Sequence, residues 1–362
     1  MKHELKRVCK SLVVLVLLGS LLTGCSASKK EVSKETVGKE KTTVKILENR
    51  ESLCLAPLHI AIINGYFEEE FEKIGQEYEL VTSNIATVTE QLSSNKINAG
   101  YGLTGSLMQP ISNGLDIVFT TGLHTGCTKF YVKQDSGINT LEDLRGKKIG
   151  VPSLSDSSTI NLKRKLADLG FKVNGDGADI ILLAYEMTDL PVALDNGAVE
   201  AIGIHDPVAT SAEQTYGFRK ILDTGLDDKF KEEYCCQAYV SGDLVSENPE
   251  GASAYTRAMQ KAAAFIEADP YEAAKLQIEN GYMPGTVEEN AQHNGEILDS
   301  FNYNPSVSLG RKTFETAFDD LQVYGDIDKS LSKDEFVKKV YLDLEGVPDT
   351  IVYDKETKTF SE

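Results

Sequence analysis

Three stretches of the sequence recur, in the same order, about one hundred residues further along the chain. The paired segments are 45–67 and 148–171, 92–100 and 194–202, and 114–123 and 217–226. A repeat of this length is a domain-sized unit rather than the module of a solenoid. The sequence therefore predicts two similar α/β lobes, and two lobes create a cleft between them.

Within each repeat, β-branched segments alternate with amphipathic ones, which predicts parallel strands joined by right-handed crossovers. Two similar segments, 127–132 and 236–240, lie where the chain leaves and re-enters the first lobe. They are predicted to be neighbouring crossover strands that act as a hinge. From Asn248 onward the pattern is helical and is not repeated elsewhere in the chain. We therefore expect a scaffold layer of helices packed on the first lobe.

The first residues are typical of an export signal, with a basic start followed by a short apolar run. The run ends in Leu22-Thr23-Gly24-Cys25, which resembles the lipobox of bacterial lipoproteins; the alternative is a secretory signal with a chance cysteine. Acylation of Cys25, with palmitate among the chains, would anchor the protein to the extracytoplasmic face of the cell membrane. The predicted organisation is a signal peptide (1–24), a flexible tether (25–41), lobe 1 (42–130), lobe 2 (131–236), and a return to lobe 1 with a helical layer (237–362).

The formal net charge of the chain is −19. Phosphate backbones need a basic face, so we expect no nucleic-acid partner. An anionic ligand would have to be held by local donors, because the long-range field repels it.

Six cysteines are present, of which Cys9 leaves with the signal and Cys25 is the predicted lipid site. The remaining four are Cys54, Cys127, Cys235 and Cys236. Without a Cys-x-x-Cys pair, zinc spacing is poor, so no metal site and no cofactor are predicted. The favoured interpretation is buried small residues, or one disulfide between Cys127 and either Cys235 or Cys236.

In open α/β sheets, ligands bind at the carboxyl ends of the strands, near helix N-termini. Aligning the two halves places Thr104 and Gly105 opposite Asp206 and Pro207. The predicted ligand-binding residues come from these strand-end loops of both lobes: Leu55, Pro57, Thr104, Gly105, Ser106, His124, Thr125, Ser155, Ser157, Ser158, Thr159, His205 and Asp206.

Several of these residues have an alternative structural role. One serine of the 152–158 loop is expected to cap the following helix, while others face the ligand. His124 and His205 are either ligand contacts or structural residues, and Asp206 either caps a helix or contacts ligand. His59, within an apolar helix, is predicted to be core or surface rather than site.

The sequence carries no nucleophile elbow, no phosphate-binding loop with a lysine and no metal motif. A missing catalytic constellation favours binding over turnover, so the chain is predicted not to be an enzyme.

The sequence resembles the substrate-binding proteins of ATP-driven uptake transporters, in the branch that binds nitrate, bicarbonate, taurine, alkanesulfonates and thiamine pyrimidine precursors. The resemblance rests on segments 56–67, 132–150, 193–207 and 247–258, and covers nearly the whole mature chain. It implies a type II periplasmic-binding fold with hinge strands and a C-terminal helical extension, whose lobes close over a small solute. The implied partners are a membrane permease and its ATPase subunits.

The departures from the family concern the ligand. His205 stands where many members carry tryptophan, and the chain has no tryptophan at all. Asp156 and Asp206 also leave room for a zwitterion or a cationic heterocycle. The rival interpretations are an enzyme on the same fold, of the menaquinone- or pyrimidine-pathway type, and a surface lipoprotein with a vestigial cleft.

Overall fold

The structure is a computed structural model that describes residues 41–50, 53–83, 87–323, 325 and 327–362. The signal peptide, Cys25 and nearly all of the tether lie outside the described residues. Residues 41–362 form one compact unit by their own contacts.

The first sheet has five strands, in the order β2-β1-β3-β10-β4. All are parallel except β10, which runs antiparallel to both of its neighbours. The strands are β1 (Val44–Glu48), β2 (Tyr78–Thr82), β3 (Ala99–Leu103), β4 (Ile117–Thr125) and β10 (Tyr234–Ser241).

The second sheet has five strands in the order β7-β6-β8-β5-β9, with β5 antiparallel to both neighbours. Its strands are β5 (Thr128–Val132), β6 (Lys148–Val151), β7 (Ile181–Ala184), β8 (Ala201–His205) and β9 (Arg219–Asp223). The order matches that of the first sheet strand for strand, which is what the internal repeat predicts. In each sheet the antiparallel strand is the one by which the chain has just crossed from the other lobe.

The helices connect and cover the two sheets. Their bounds are α1 (Ala56–Ile63), α2 (Tyr66–Lys73), α3 (Val88–Ser93), α4 (Thr104–Ser112), α5 (Ser157–Asp168), α6 (Leu190–Asp195), α7 (Val208–Tyr216), α8 (Gly242–Glu247), α9 (Pro249–Ala268), α10 (Pro270–Glu279), α11 (Val287–Asp299), α12 (Val307–Val323) and α13 (Lys333–Val340). A hairpin of β11 (Val352–Asp354) and β12 (Thr359–Ser361) follows. Among the described residues, no helix has both the length and the apolar composition needed to cross a membrane.

The C-terminal helices pack on the first sheet. The amide oxygen of Asn248 accepts the N–H of Gly251 at 3.0 Å, and Pro249 fills the first turn, so α9 begins there. Its alanine-rich face joins the core of lobe 1, together with α10 and α11. Helices α12 and α13 complete a second core on the other face of the same sheet.

The crossovers between the lobes join β4 to β5 and β9 to β10. The lobe boundaries at 130/131 and 236/237 stay predictions, but the strands that cross begin at Thr128 and Tyr234. His124 and Thr125, predicted to lie in a loop, belong to β4 instead, because β10 pairs with them. The first crossover is therefore short, with only Gly126 and Cys127 between β4 and β5, whereas the return from β9 to β10 runs over residues 224–233.

Candidate functional site

Two helices from different lobes begin at the same place. Thr104 starts α4 directly after β3, and Ser157 starts α5 in the loop after β6. A Cβ added to Gly105 would lie 2.9 Å from the Ser157 hydroxyl oxygen and 3.3 Å from its Cα. Only glycine therefore allows this close approach, and the two helix N-termini face each other across the lobes.

A narrow cavity of about 30 Å³ lies at this junction. Its walls come from α4, α5, β10 and α12, and include Thr104, Gly105, Ser157, Tyr234 and Cys235. A volume of this size holds one or two water molecules. The lobes are thus nearly closed on each other, and a solute needs them to separate before it can enter.

The hydroxyls of the serine-rich loop have different partners. The cap of α5 is Asp156 rather than a serine: its Oδ1 accepts the backbone N–H of Ser158 at 2.8 Å and the Ser158 hydroxyl at 2.5 Å. Thr159 donates to the carbonyl of Ser153 at 2.6 Å, and Ser155 is exposed. Ser157 is buried, and its hydroxyl has no hydrogen-bond partner among the described residues. Of these side chains, Ser157 is the one available to a ligand in the cavity.

Other predicted residues lie around the junction or away from it. Thr104 donates to the carbonyl of Tyr234 at 2.9 Å and so ties α4 to β10. Ser106 lines a neighbouring groove with Gly105 and Ser155. Leu55 belongs to the core of lobe 1 and Pro57 is buried in α1, and neither lines the cavity.

His205 forms a buried ion pair. Its Nε2 lies 2.7 Å from Oδ1 of Asp156, and its Nδ1 lies 3.0 Å from the hydroxyl of Thr128. Burial alone would lower the pKa of His205, but the Asp156 carboxylate raises it well above its usual value. Burial would raise the pKa of Asp156, and the facing imidazolium instead lowers it. The Asp156 carboxylate and the His205 imidazolium therefore pair with each other in this arrangement.

Asp206 has structural partners for both carboxylate oxygens. Oδ2 pairs with Nζ of Lys129 at 2.6 Å, and Oδ1 accepts from the backbone and hydroxyl of Thr210 in the first turn of α7. Between the two predicted roles of Asp206, its contacts favour the capping one.

His124 lies in a different environment, between aromatic rings. It stacks on Phe301 with ring centroids 5.3 Å apart and packs against Tyr303 at 5.0 Å. Burial lowers the pKa of its imidazole and so disfavours the charged form. Nδ1 lies 3.4 Å from Sγ of Cys235, and Nε2 is buried without a partner among the described residues. Neighbouring Thr125 is also buried, and its N–H donates to the carbonyl of Asn302 at 3.1 Å.

The four cysteines converge beside His124. All are free thiols in the structure, so the predicted disulfide alternative is not formed. Sγ of Cys127 lies 3.0 Å from Sγ of Cys235, and Cys54 donates to the carbonyl of Asp206 at 3.5 Å. Hydrogen bonds from Cys235, Cys236 and Cys54 hold the pKa of Cys127 well below its usual value. Burial raises the pKa of Cys235 and Cys236.

This cluster was missed as a functional feature because its members come from separate segments. Cys54 lies in the loop after β1, Cys127 between β4 and β5, and the vicinal pair at the start of β10. Tyr101 and Tyr303 close the site: the Tyr101 hydroxyl donates to the carbonyl of Cys54 at 2.7 Å, and Tyr303 comes from the helical tail. The vicinal pair Cys235-Cys236 was the only sequence signal.

Comparison with known proteins identifies the family and the fold. Residues 54–273 match the family model described as NMT1/THI5 like. A Bacillus subtilis protein named as an aliphatic sulfonates-binding protein is 24% identical over 340 residues, which are 91% of this chain and 96% of that protein.

Two solved structures confirm the predicted two-lobed fold. The periplasmic aliphatic sulphonate binding protein SsuA from Escherichia coli superposes with a TM-score of 0.65 at 18% identity, over 84% of this chain and 94% of that one. The periplasmic nitrate-binding protein NrtA from Synechocystis PCC 6803 gives 0.64 at 15% identity, over 83% and 86%. The relatives are binding proteins rather than enzymes, as predicted here. The chain belongs to the NMT1/THI5-like family.

Proposed function

We propose that this protein is the lipid-anchored solute-binding component of an ATP-driven importer, and that it captures a small solute through an anionic group. Family membership supports the binding role, and relatives are named for sulfonates and nitrate. The solute would lie between the lobes, at the junction of α4 and α5, and would pass from there to a permease driven by ATPase subunits.

One observation supports an anionic solute: two helix N-termini meet at the same cavity. The macrodipole gives each N-terminus a partial positive charge, which stabilises an anion there. Helix α4 has no side-chain cap, whereas the Ser158 N–H of α5 is already bound by Asp156. The buried Ser157 hydroxyl adds a donor that lacks a protein partner. Arg164 also lines the cavity, but its guanidinium is already paired with Glu233 and Asp320, so these contacts would be left to hold the anion.

Lobe closure would follow from where the donors lie. Thr104 and Gly105 belong to lobe 1, whereas Ser157 belongs to lobe 2. A solute that contacts both sides binds the closed arrangement better than the open one, and so shifts the population toward closure. The closed, solute-bound protein would then present its surface to the permease.

The lipid anchor is the second part of the proposal. It rests on the Leu22-Thr23-Gly24-Cys25 motif and the basic, apolar segment before it. Replacement of Cys25 by alanine should release the protein from the membrane fraction, whereas Cys9→Ala should leave it there. Retention of the Cys25→Ala protein with a labelled acyl chain would rule out this anchor.

The test of the solute class is calorimetric titration with nitrate, bicarbonate, taurine and ethanesulfonate, and with a cationic pyrimidine as comparison. We expect one of the anions to bind, and Ser157→Ala to weaken it about tenfold, the loss of one hydrogen bond to a charged group. Ser155→Ala is the matched control, because Ser155 is exposed in the same loop. Binding of the cationic pyrimidine alone would overturn the anionic class.

A further inference from the structure

The thiols around the crossovers form a compact donor set. His124, Cys127, Cys235 and Cys236 are all buried, and their ligand atoms all lie within 4.8 Å of one another. A tetrahedral zinc site with Zn–S bonds of about 2.3 Å has sulfurs about 3.8 Å apart. Cys127 Sγ and Cys235 Sγ are 3.0 Å apart, and no two of the four ligand atoms are more than 4.8 Å apart. This range includes the value expected for zinc.

The chemistry of these donors is selective. Three sulfurs and one imidazole nitrogen, with no carboxylate in the set, are soft ligands that bind Zn²⁺ or Cu⁺ and do not suit Mg²⁺ or Ca²⁺. Asp156 and Asp206, the nearby carboxylates, are already paired with His205 and Lys129. The ion that fits is therefore thiophilic.

Two further polar atoms point to an occupant. The hydroxyl of Tyr303 and Nε2 of His124 are buried and have no hydrogen-bond partner among the described residues. Tyr303 is 1% exposed. Its ring packs against that of the proposed ligand His124, with ring centroids 5.0 Å apart. A metal-bound thiolate would give that hydroxyl an acceptor, as outer partners of metal ligands usually have.

The donors lie on both connections between the lobes. His124 and Cys127 belong to the passage from β4 to β5, and the vicinal cysteines belong to β10. We propose that His124, Cys127, Cys235 and Cys236 bind a single thiophilic metal ion, of the Zn²⁺ or Cu⁺ class, which ties the two crossovers together. This site goes beyond the proposed anion function and does not depend on it, although Cys235 also lines the cavity.

The test is a metal titration of the full exported protein, reduced with a phosphine, stripped with a chelator and kept under argon. Co²⁺ serves as the probe and Zn²⁺ as its competitor. We expect one Co²⁺ per chain, with thiolate-to-cobalt charge transfer and the intense visible bands of a tetrahedral site, and full displacement by Zn²⁺.

Variants decide which residues bind the metal. Cys127→Ser and Cys236→Ser should weaken cobalt binding by more than about 100-fold, beyond the loss that outer partners cause, and Tyr303→Phe by about tenfold with the bands retained. His293 lies on α11 outside the donor set, so His293→Ala is the control and should keep both stoichiometry and spectrum. Circular dichroism of each variant establishes that the fold is intact.

Two outcomes would overturn the proposal. One is the absence of tetrahedral cobalt bands in the reduced wild-type protein, or their persistence in folded Cys127→Ser and Cys236→Ser. The other is a Cys127–Cys235 disulfide in the protein as isolated, found by non-reducing peptide mapping, with no metal bound after reduction. Neither outcome bears on anion binding, which is measured on the same protein by calorimetry without added metal.

Discussion

Arg164 of the second lobe reaches across to Asp320 of α12, with its Nε 2.9 Å from the carboxylate Oδ2. The same guanidinium holds Glu233 by two hydrogen bonds, of 2.6 and 2.7 Å. The side chain of Arg164 is only 3% exposed. Since α12 packs on the first sheet, this contact links the two lobes in the closed arrangement.

Replacement of Arg164 by methionine should loosen that link. It leaves Glu233 without its cation and Asp320 with Lys229 alone, so we expect a loss of about 3 kcal/mol in the free energy of unfolding. Small-angle scattering should also show a larger radius of gyration. Lys165→Met is the control, because Lys165 pairs with Asp227 within the second lobe. An unchanged scattering profile for Arg164→Met would contradict this role.

Gly105→Val should hold the lobes apart. The added side chain would overlap the hydroxyl and Cα of Ser157, and backbone cannot move aside without separating the helices. We expect weaker solute binding, by about tenfold or more, with little change in thermal stability, since lobe 1 itself is not disturbed. Gly102→Ala, whose Cβ would meet its nearest neighbour at 3.8 Å, should bind normally. Equal affinities for the two variants would rule out the junction as the binding place.

His59 should make stability depend on pH between about 6.5 and 4. Its Nε2–H donates to the carbonyl of Asn49, its Nδ1 accepts from Gln277, both at 2.8 Å, and burial lowers its pKa to about 4. Because the unfolded chain takes up the proton first, stability falls as pH drops through this window, by roughly 3 kcal/mol.

Urea unfolding of His59→Gln across this pH range measures the effect. We expect the variant to be less stable at pH 7 but to lose this pH dependence, whereas His293→Gln should keep it. A wild-type slope preserved in His59→Gln would show that another group is responsible.

Glu70 should also make stability depend on pH, but at lower pH than His59. Burial would raise its pKa, but Lys261, Lys73 and Arg257 instead lower it to about 2. A carboxylate with a depressed pKa stabilises the fold above its unfolded value near 4.5, and the contribution is lost as pH falls toward 2, here roughly 3 kcal/mol. Acid denaturation of Glu70→Gln should be shallower below pH 4.5, while exposed Glu72→Gln should follow the wild type.

The architecture could be predicted because the repeat is visible in the sequence and because periodicity reports burial. The helical segment expected from Asn248 onward is present as α9, α10, α11 and α12. The separate helix α2, the helix α13 and the terminal hairpin were not predicted. They are short elements, and packing against the core determines which side of each is buried. A local pattern in the sequence does not indicate it.

The site was less predictable, for a physical reason. His124 lies in a strand because β10, more than one hundred residues later, pairs with it, and local sequence does not report such pairing. The cysteines converge because both crossovers pass the same point. Their spacing along the chain does not indicate that they meet. Choosing between Asp156 and the serines as the cap depends on side-chain rotamers, so only the structure could resolve it.

The exchange of strands between the sheets has a consequence for how the chain folds. The second sheet is built from one continuous stretch, 128–223, and needs nothing from elsewhere. The first sheet lacks its strand between β3 and β4 until residues 234–241 arrive. During synthesis, therefore, the lobe that begins first is completed last, and a chain cut short after the second lobe would expose two unpaired strand edges in the middle of the first.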